Sequence, residues 1–109
     1  MRVRLLHGTP INLIGKIVME KVVASAIKFY YLVDSKYPQI WTDKRHSDIF
    51  NNMALHNIHY NRSTYVQGFW TSENRFVDRI EAKKIAVAAN QLIVPIENTY
   101  SELFSEDIW

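Results

Sequence analysis

The alternation of apolar and polar positions after residue 19 predicts strands before it predicts helices. Between residues 20 and 29 an extended chain would place apolar side chains on both faces, which indicates a strand mostly buried on both sides. Polar residues and a proline at 34–38 then form a turn, and residues 39–42 make a second strand. We expect the two strands to pair as a hairpin with a long loop. In the first strand, one face carries Val23, Ser25, Ile27 and Phe29, and the other carries Val22, Ala24, Ala26 and Lys28.

Two later stretches have helical spacing. The first helix is predicted to begin at Ser47 or just before it and to end near Asn57, a residue type that tolerates left-handed backbone. Residues 58–66 lack a clean period and are predicted to form a loop. The second helix is predicted from about Arg79 to Leu92, and Pro95 prevents its continuation. Its expected apolar stripe comprises Ile80, Ala82, Ile85, Ala86, Ala89 and Leu92.

Residues 67–82 carry turn, strand and helix signals in close succession. We predict strands at 68–71 and 75–77, joined by a polar turn at 72–74. Asp78 is the expected N-cap of the second helix, with Glu81 three residues later in a capping-box arrangement. Arg75 and Arg79 therefore flank the point where strand gives way to helix.

The two ends of the chain have different characters. Residues 1–18 form a predicted N-terminal extension, whose interrupted apolar stretch and lack of a small-residue cleavage site argue against a signal peptide. Residues 19–109 form a single predicted domain, and its last ten residues carry enough apolar side chains to indicate a docked tail. The predicted fold is α+β: a small antiparallel β-sheet, two helices packed on one side, and the docked C-terminal tail.

Composition narrows the functional classes. A chain of 109 residues, 48% hydrophobic and 22% charged, fits one soluble globular domain, for which the cytoplasm is the default location. The net charge of +2 is weak evidence for nucleic-acid binding. The absence of cysteine excludes disulfides, zinc–thiolate sites and thiol nucleophiles. An aromatic content of 13% exceeds what a small core encloses, so we expect some rings at an oligomer interface or a ligand pocket.

The predicted helix starts are the leading chemical candidates. Arg45 and His46 open the first helix beside free main-chain N–H groups, where an anion is favoured. The alternative is a solvated helix start whose Asp48 satisfies the helix dipole. Arg75 and Arg79 pose the same question at the second helix. Phe69, Trp70 and Phe76 lie among these arginines, a mixture that stacks a base and holds its phosphate. The alternative is that Phe69 and Phe76 are core residues of the hairpin, and we expect this of at least one of them.

Other chemistry has weaker support. His56 and His59 are three residues apart, but no cysteine or carboxylate joins them at ligand spacing, so we predict no metal site and no cofactor. His46 is the one plausible general base, and no Gly-x-Ser-x-Gly motif accompanies it. The scattered glycines form no phosphate-binding loop. We therefore expect a protein that is not an enzyme.

Four blocks of the sequence resemble a small phage-encoded family: residues 23–28, 44–49, 67–82 and 103–109. Within it, the chain resembles the Thoeris anti-defence proteins, phage "sponges" that sequester cyclic ADP-ribose isomers, and in some members cyclic oligonucleotides, without cleaving them. The resemblance implies a homo-oligomer with ligands at subunit interfaces lined by arginines and aromatic rings. The extension and the loop at 30–38 have no counterpart in it. The ligand-binding residues it implies are Arg45, His46, Phe69, Asn74, Arg75 and Arg79.

These observations lead to one main hypothesis and three alternatives. The main hypothesis is a phage anti-defence protein in the host cytoplasm that binds and sequesters a cyclic nucleotide immune signal. The first alternative is an anti-CRISPR-like inhibitor or adaptor of a host defence protein, because protein-binding hot spots also favour Trp, Tyr and Arg. A small phosphodiesterase that uses His46 and a DNA- or RNA-binding protein are weaker alternatives.

Overall fold

The computed structural model describes residues 4–6, 9–10, 19–33 and 35–109. Strands β1 (Arg4–Leu6) and β2 (Thr9–Pro10) pair antiparallel in a small sheet of their own. The rest of the predicted N-terminal extension lies outside the described residues, and its separation from a domain at 19–109 stays a prediction.

A four-stranded antiparallel sheet organises the remainder, in the order β4-β3-β5-β6. Its strands are β3 (Val22–Phe29), β4 (Gln39–Asp43), β5 (Val66–Thr71) and β6 (Phe76–Asp78). The hairpin of β3 and β4 agrees with the sequence prediction. A register shift between Val22 and Ala24 changes the alternation at the start of β3. Val22 is therefore buried and Val23 is 51% exposed, so Val23 does not share the buried face predicted for it.

Both helices pack on the same face of the sheet. Helix α1 (His46–Leu55) places Ile49 and Met53 against Ile27 and Phe29 of β3. Helix α2 (Arg79–Ala88) packs against Phe69 of β5 and Val77 of β6, which are cross-strand partners. Phe69 also pairs with Ser25, which lies two residues from Ile27 and therefore on the same face. The predicted α+β architecture is confirmed.

An asparagine with left-handed backbone follows each helix, two residues after its end. Asn57 has φ 53° and Asn90 has φ 56°. Main-chain bonds from Ile58 to Met53 and from Gln91 to Ala86 close the two ends, as in a Schellman motif. The end near Asn57 was predicted, but α2 ends at Ala88 rather than at Leu92.

The early end of α2 changes the predicted apolar stripe. Beyond Asn90, the Gln91 side chain bonds the main-chain N–H and carbonyl of Val22, both at 2.8 Å, and draws the chain towards β3. Leu92 still packs against the core, outside the helix. Ile80, however, is 51% exposed, because it lies in the first turn on the side away from the sheet. It does not belong to the buried stripe.

The tail docks on the α2 side of the sheet, as predicted. One 3₁₀-helix, Ile96–Asn98, precedes it, and a second, Ser105–Asp107, lies within it. Leu103 and Ile108 are buried in the core between α2 and the sheet. Lys83 of α2 donates to the Thr99 hydroxyl at 2.6 Å and to the main-chain oxygen of Tyr100. No helix within the described residues is long and apolar enough to cross a membrane.

Candidate functional site

A cleft of about 220 Å³ opens where the two helix starts meet the tail. Arg45 precedes α1 with extended backbone, φ −124° and ψ 151°, and Arg79 is the first residue of α2 immediately after β6. Antiparallel pairing of β5 with β6 places Gln67 of β5 near the same end. The tail closes the opposite wall. The lining residues are Arg45, His46, Ser47, Gln67, Arg79, Phe104, Ser105 and Glu106.

Neutral groups orient the Arg79 guanidinium. Its Nη1 donates to the Leu103 carbonyl and its Nη2 to Gln67 Oε1, both at 2.7 Å. The guanidinium carbon lies 4.8 Å from the centroid of the Phe104 ring, a cation–π distance. Burial lowers the pKa of Arg79, and the negative charges of Glu102 and Glu106 oppose that shift. The side chain stays cationic at neutral pH.

The tail also orients Arg45. Its Nη2 donates to the main-chain oxygen of Trp109 at 2.9 Å, and its Nη1 lies 3.5 Å from the Ser105 hydroxyl. A guanidinium has five N–H donors, so Arg45 and Arg79 each keep three for other acceptors. Among the described residues, no side-chain carboxylate lies within 4.0 Å of either guanidinium. Arg75, by contrast, forms ion pairs with Glu20 and Glu81. The cleft therefore has unspent donor capacity and two cations.

His46 joins α1 to the sheet at the floor of the cleft. Its Nε2 lies 2.7 Å from the Gly68 carbonyl, which can only accept, so this nitrogen carries the hydrogen. Burial, and more weakly the charge of Arg79, lower the pKa of His46, although the bond to Gly68 opposes the shift. The neutral ring meets Phe69 edge to face at 5.1 Å between centroids. This geometry gives His46 a positioning role in the first turn of α1.

Of the six residues that the resemblance implies, the structure brings four together: Arg45, His46, Phe69 and Arg79. Phe69 is 0% exposed, because its ring belongs to the core, so it offers no open face for stacking. The accessible ring is Phe104, which is 37% exposed. Phe104, Gln67 and Ser105 were missed as site residues. The predicted docking of the tail was the one sequence signal that pointed to Phe104.

Asn74 and Arg75 lie at the other end of β6. The three residues of β6 span roughly 10 Å of extended chain between Arg75 and Arg79. Arg75 forms a bidentate pair with buried Glu20, with two N–O distances of 2.7 Å, and lies 3.6 Å from Glu81. Asn74 has φ 56° in the turn between β5 and β6. The structure therefore places these two residues outside the cleft.

Residues 21–109 match the sequence profile of a family described as Phage T4 y16D protein. The chain belongs to this phage protein family. The match covers all four blocks that carried the phage resemblance, but it does not extend to the Thoeris anti-defence proteins, and that resemblance is not confirmed. No curated protein sequence and no solved structure gives a significant match.

In this y16D-family chain a second, larger cavity adjoins the cleft. Its volume is about 470 Å³, and it shares Gln67 and Arg79 with the cleft. Its other lining residues are Tyr65, Val66, Asp78, Ile80 and Glu102. Besides Arg79, the larger cavity thus carries two carboxylates and apolar side chains, whereas the cleft carries two guanidinium groups, one aromatic ring and one carboxylate, Glu106.

The described residues of this y16D-family chain contain no group of three His, Cys, Asp or Glu side chains placed to hold a metal ion. His56 uses Nδ1 in a 2.8 Å contact with the Asn52 carbonyl and packs edge to face on Trp41. His59 is exposed in the loop after α1.

Proposed function

We propose that this y16D-family protein binds a cyclic nucleotide in the cleft and sequesters it without cleavage, and so acts as a phage anti-defence protein. The supporting observation is the convergence of Arg45 and Arg79 on one cleft, where both keep free N–H donors and Arg79 has neutral partners. The class of ligand, a cyclic ADP-ribose isomer or a cyclic oligonucleotide, comes from the sequence resemblance to the Thoeris proteins.

Phosphate is the group that these donors suit. Guanidinium groups bind phosphate oxygens through paired N–H donors, and such charge-assisted bonds are about twice as strong as neutral ones. The partly exposed Phe104 ring supplies an aromatic surface beside Arg79. Because Nε2 of His46 donates to a main-chain carbonyl, this nitrogen is not available as a general base.

Sequestration requires only mass action. The immune signal is depleted when the protein outnumbers it and the dissociation constant lies below signalling concentrations. We expect this to occur in the cytoplasm of the infected cell, with the protein as a homo-oligomer.

The test compares two arginine variants that differ in position. Cyclic ADP-ribose isomers and cyclic dinucleotides are titrated by calorimetry into the unaltered protein, Arg79→Gln and Arg75→Gln. We expect Arg79→Gln to weaken binding about 10- to 100-fold, because the variant loses hydrogen bonds between the guanidinium and a charged phosphate. Arg75→Gln is the matched control, because it removes a guanidinium group at the opposite end of β6. The affinity of the folded Arg75→Gln protein for the ligand should be unchanged.

A second measurement separates sequestration from catalysis. Heating the complex should release the ligand, and chromatography should recover it intact. Recovery of a cleaved product would contradict the proposal, as would the absence of binding to every cyclic nucleotide tested. Binding should also raise the melting temperature of the unaltered protein. At a ligand concentration one hundredfold above Kd, the free energy of unfolding should increase by about 2.7 kcal/mol.

One observation favours the alternative of a protein inhibitor or adaptor. The sheet face opposite the helices carries a row of apolar side chains in cross-strand register: Ala24 and Trp70 are partners, as are Trp70 and Phe76. Val23, Ile40 and Val66 are exposed on the same sheet. The occupant of this face would be a host defence protein with an apolar surface. The unaltered protein would then bind a host protein stoichiometrically and inhibit it. If Trp70→Glu loses this binding and Arg79→Gln keeps it, the alternative is supported.

A further inference from the structure

The side chains of Arg79 and Gln67 form a partition between the cleft and the larger cavity. Both residues line both spaces, and the bond from Arg79 Nη2 to Gln67 Oε1 fixes them to each other. Because the carbonyl oxygen of Gln67 faces Arg79, its amide nitrogen is left as a donor. A ligand that rests on this partition therefore reaches both cavities at once.

The two sides of the partition offer different chemistry. On the cleft side, Arg45 adds a second guanidinium beside Arg79, and Glu106 adds one carboxylate. On the other side, Asp78 and Glu102 supply carboxylate acceptors, and Tyr65, Val66 and Ile80 supply apolar contact. One oxygen of Asp78 accepts the Glu81 N–H at 2.8 Å as the α2 cap, which leaves the other oxygen for a ligand. The larger cavity therefore suits a flat group that donates hydrogen bonds.

The surrounding charge limits how closely the phosphates of a ligand can be spaced. Glu102 and Glu106 both act electrostatically on Arg79. A pyrophosphate brings two negative charges on adjacent phosphates towards these carboxylates, whereas a cyclic dinucleotide, with the same total charge, separates its two phosphodiesters across the ring and can place one of them on the guanidinium. Adjacent phosphates are therefore disfavoured.

We infer that the ligand is a phosphodiester-linked cyclic dinucleotide that spans the partition, and this rests on the proposed function. One phosphodiester lies on Arg79, one nucleoside occupies the cleft beside Phe104, and the second occupies the larger cavity. Its donors there, the edge of a guanine or the ribose hydroxyls, bind Asp78 and Glu102. This selects a cyclic dinucleotide over cyclic ADP-ribose, which contains a pyrophosphate.

Calorimetry with three probes tests the inference: cyclic di-GMP, 3′,5′-cyclic GMP and cyclic ADP-ribose. We expect cyclic di-GMP to bind at least about tenfold more tightly than the other two, because each added hydrogen bond to a charged group contributes about tenfold. Equal or tighter binding of cyclic GMP or cyclic ADP-ribose would overturn the inference and leave the proposed function intact. If no cyclic nucleotide binds, both fall.

Two isosteric variants test the acceptor role of the larger cavity. Glu102→Gln and Asp78→Asn each remove one negative charge, and asparagine caps a helix about as well as aspartate, so Asp78→Asn should fold. If the carboxylates accept hydrogen bonds from the second nucleoside, each variant should reduce the ratio of the cyclic GMP Kd to the cyclic di-GMP Kd about tenfold. If they merely repel phosphate, both variants should bind cyclic di-GMP more tightly, and the inference is wrong.

Discussion

Two arginines four residues apart have different surroundings and therefore different consequences. Arg75 is 43% exposed and holds the buried carboxylate of Glu20, which also accepts the Thr71 hydroxyl at 2.6 Å. Arg79 has only neutral partners and keeps donors directed at the cleft. Both residues were equally good candidates in the sequence. What separates them is Glu20, which lies 55 positions before Arg75 and gives no local signal.

His46 carries a pH dependence whose sign follows from its burial. Its pKa is lowered from the ordinary value of 6.5, chiefly by desolvation. Between the lowered pKa and 6.5, the unfolded chain binds more protons than the folded protein. This contribution to stability is therefore complete above the unfolded pKa and is lost as pH falls below it towards the folded pKa.

We predict that His46→Gln reduces the loss of stability on acidification. Urea unfolding from about pH 8 to about pH 5 should give a smaller decrease in the free energy of unfolding for this variant than for the unaltered protein. The exposed His59 provides the matched control, and His59→Gln should keep the original decrease. The same decrease in His46→Gln would contradict the proposed cause.

At the scale of elements, local signals located both helix starts and the end of α1, but not the end of α2. Asp78 caps α2 as predicted, because an N-cap depends on residues within one turn. The end of α2 was misjudged because the apolar period continued through Leu92. The left-handed Asn90 and the bond between Gln91 and Val22 end the helix first, and the second of these is a contact across 69 positions.

The left-handed backbone at Asn90 gives a second stability prediction. Asn90→Ala should destabilise the protein by about 1 kcal/mol, because alanine adopts positive φ at a steric cost that asparagine partly escapes. Asn90→Gly should be neutral or stabilising, since glycine lacks the Cβ responsible for that cost. Thermal unfolding of the two variants decides the point. Equal destabilisation by alanine and glycine would show that a side-chain contact of Asn90 matters instead.

For the whole molecule, the tail joins the core to the cleft. The sequence predicted that this segment docks, because its apolar residues needed burial. It could not predict that main-chain oxygens of Leu103 and Trp109 would orient Arg79 and Arg45, since such contacts depend on the final path of the chain and not on side-chain type. The orientation of both guanidinium groups is therefore a product of tertiary structure.

Neighbouring tail residues should separate stability from binding. Leu103→Ala removes a fully buried side chain and should destabilise the protein by about 3 kcal/mol. Phe104→Ala should cost less than about 1 kcal/mol, because that ring is partly exposed and contacts Arg79 and the exposed ring of Tyr100. Urea unfolding measures both changes. The folded Phe104→Ala protein should bind a cyclic nucleotide more weakly than the folded Leu103→Ala protein does. If Phe104→Ala leaves the affinity unchanged, Phe104 is not part of the binding site.

Three cations, Arg45, Arg79 and Lys83, each donate to a main-chain oxygen of the tail. During translation these partners leave the ribosome after the strands and both helices. Until residues 100–109 have docked on the sheet, the two guanidinium groups lack the acceptors that orient them. Docking of this segment should therefore precede capture of a ligand.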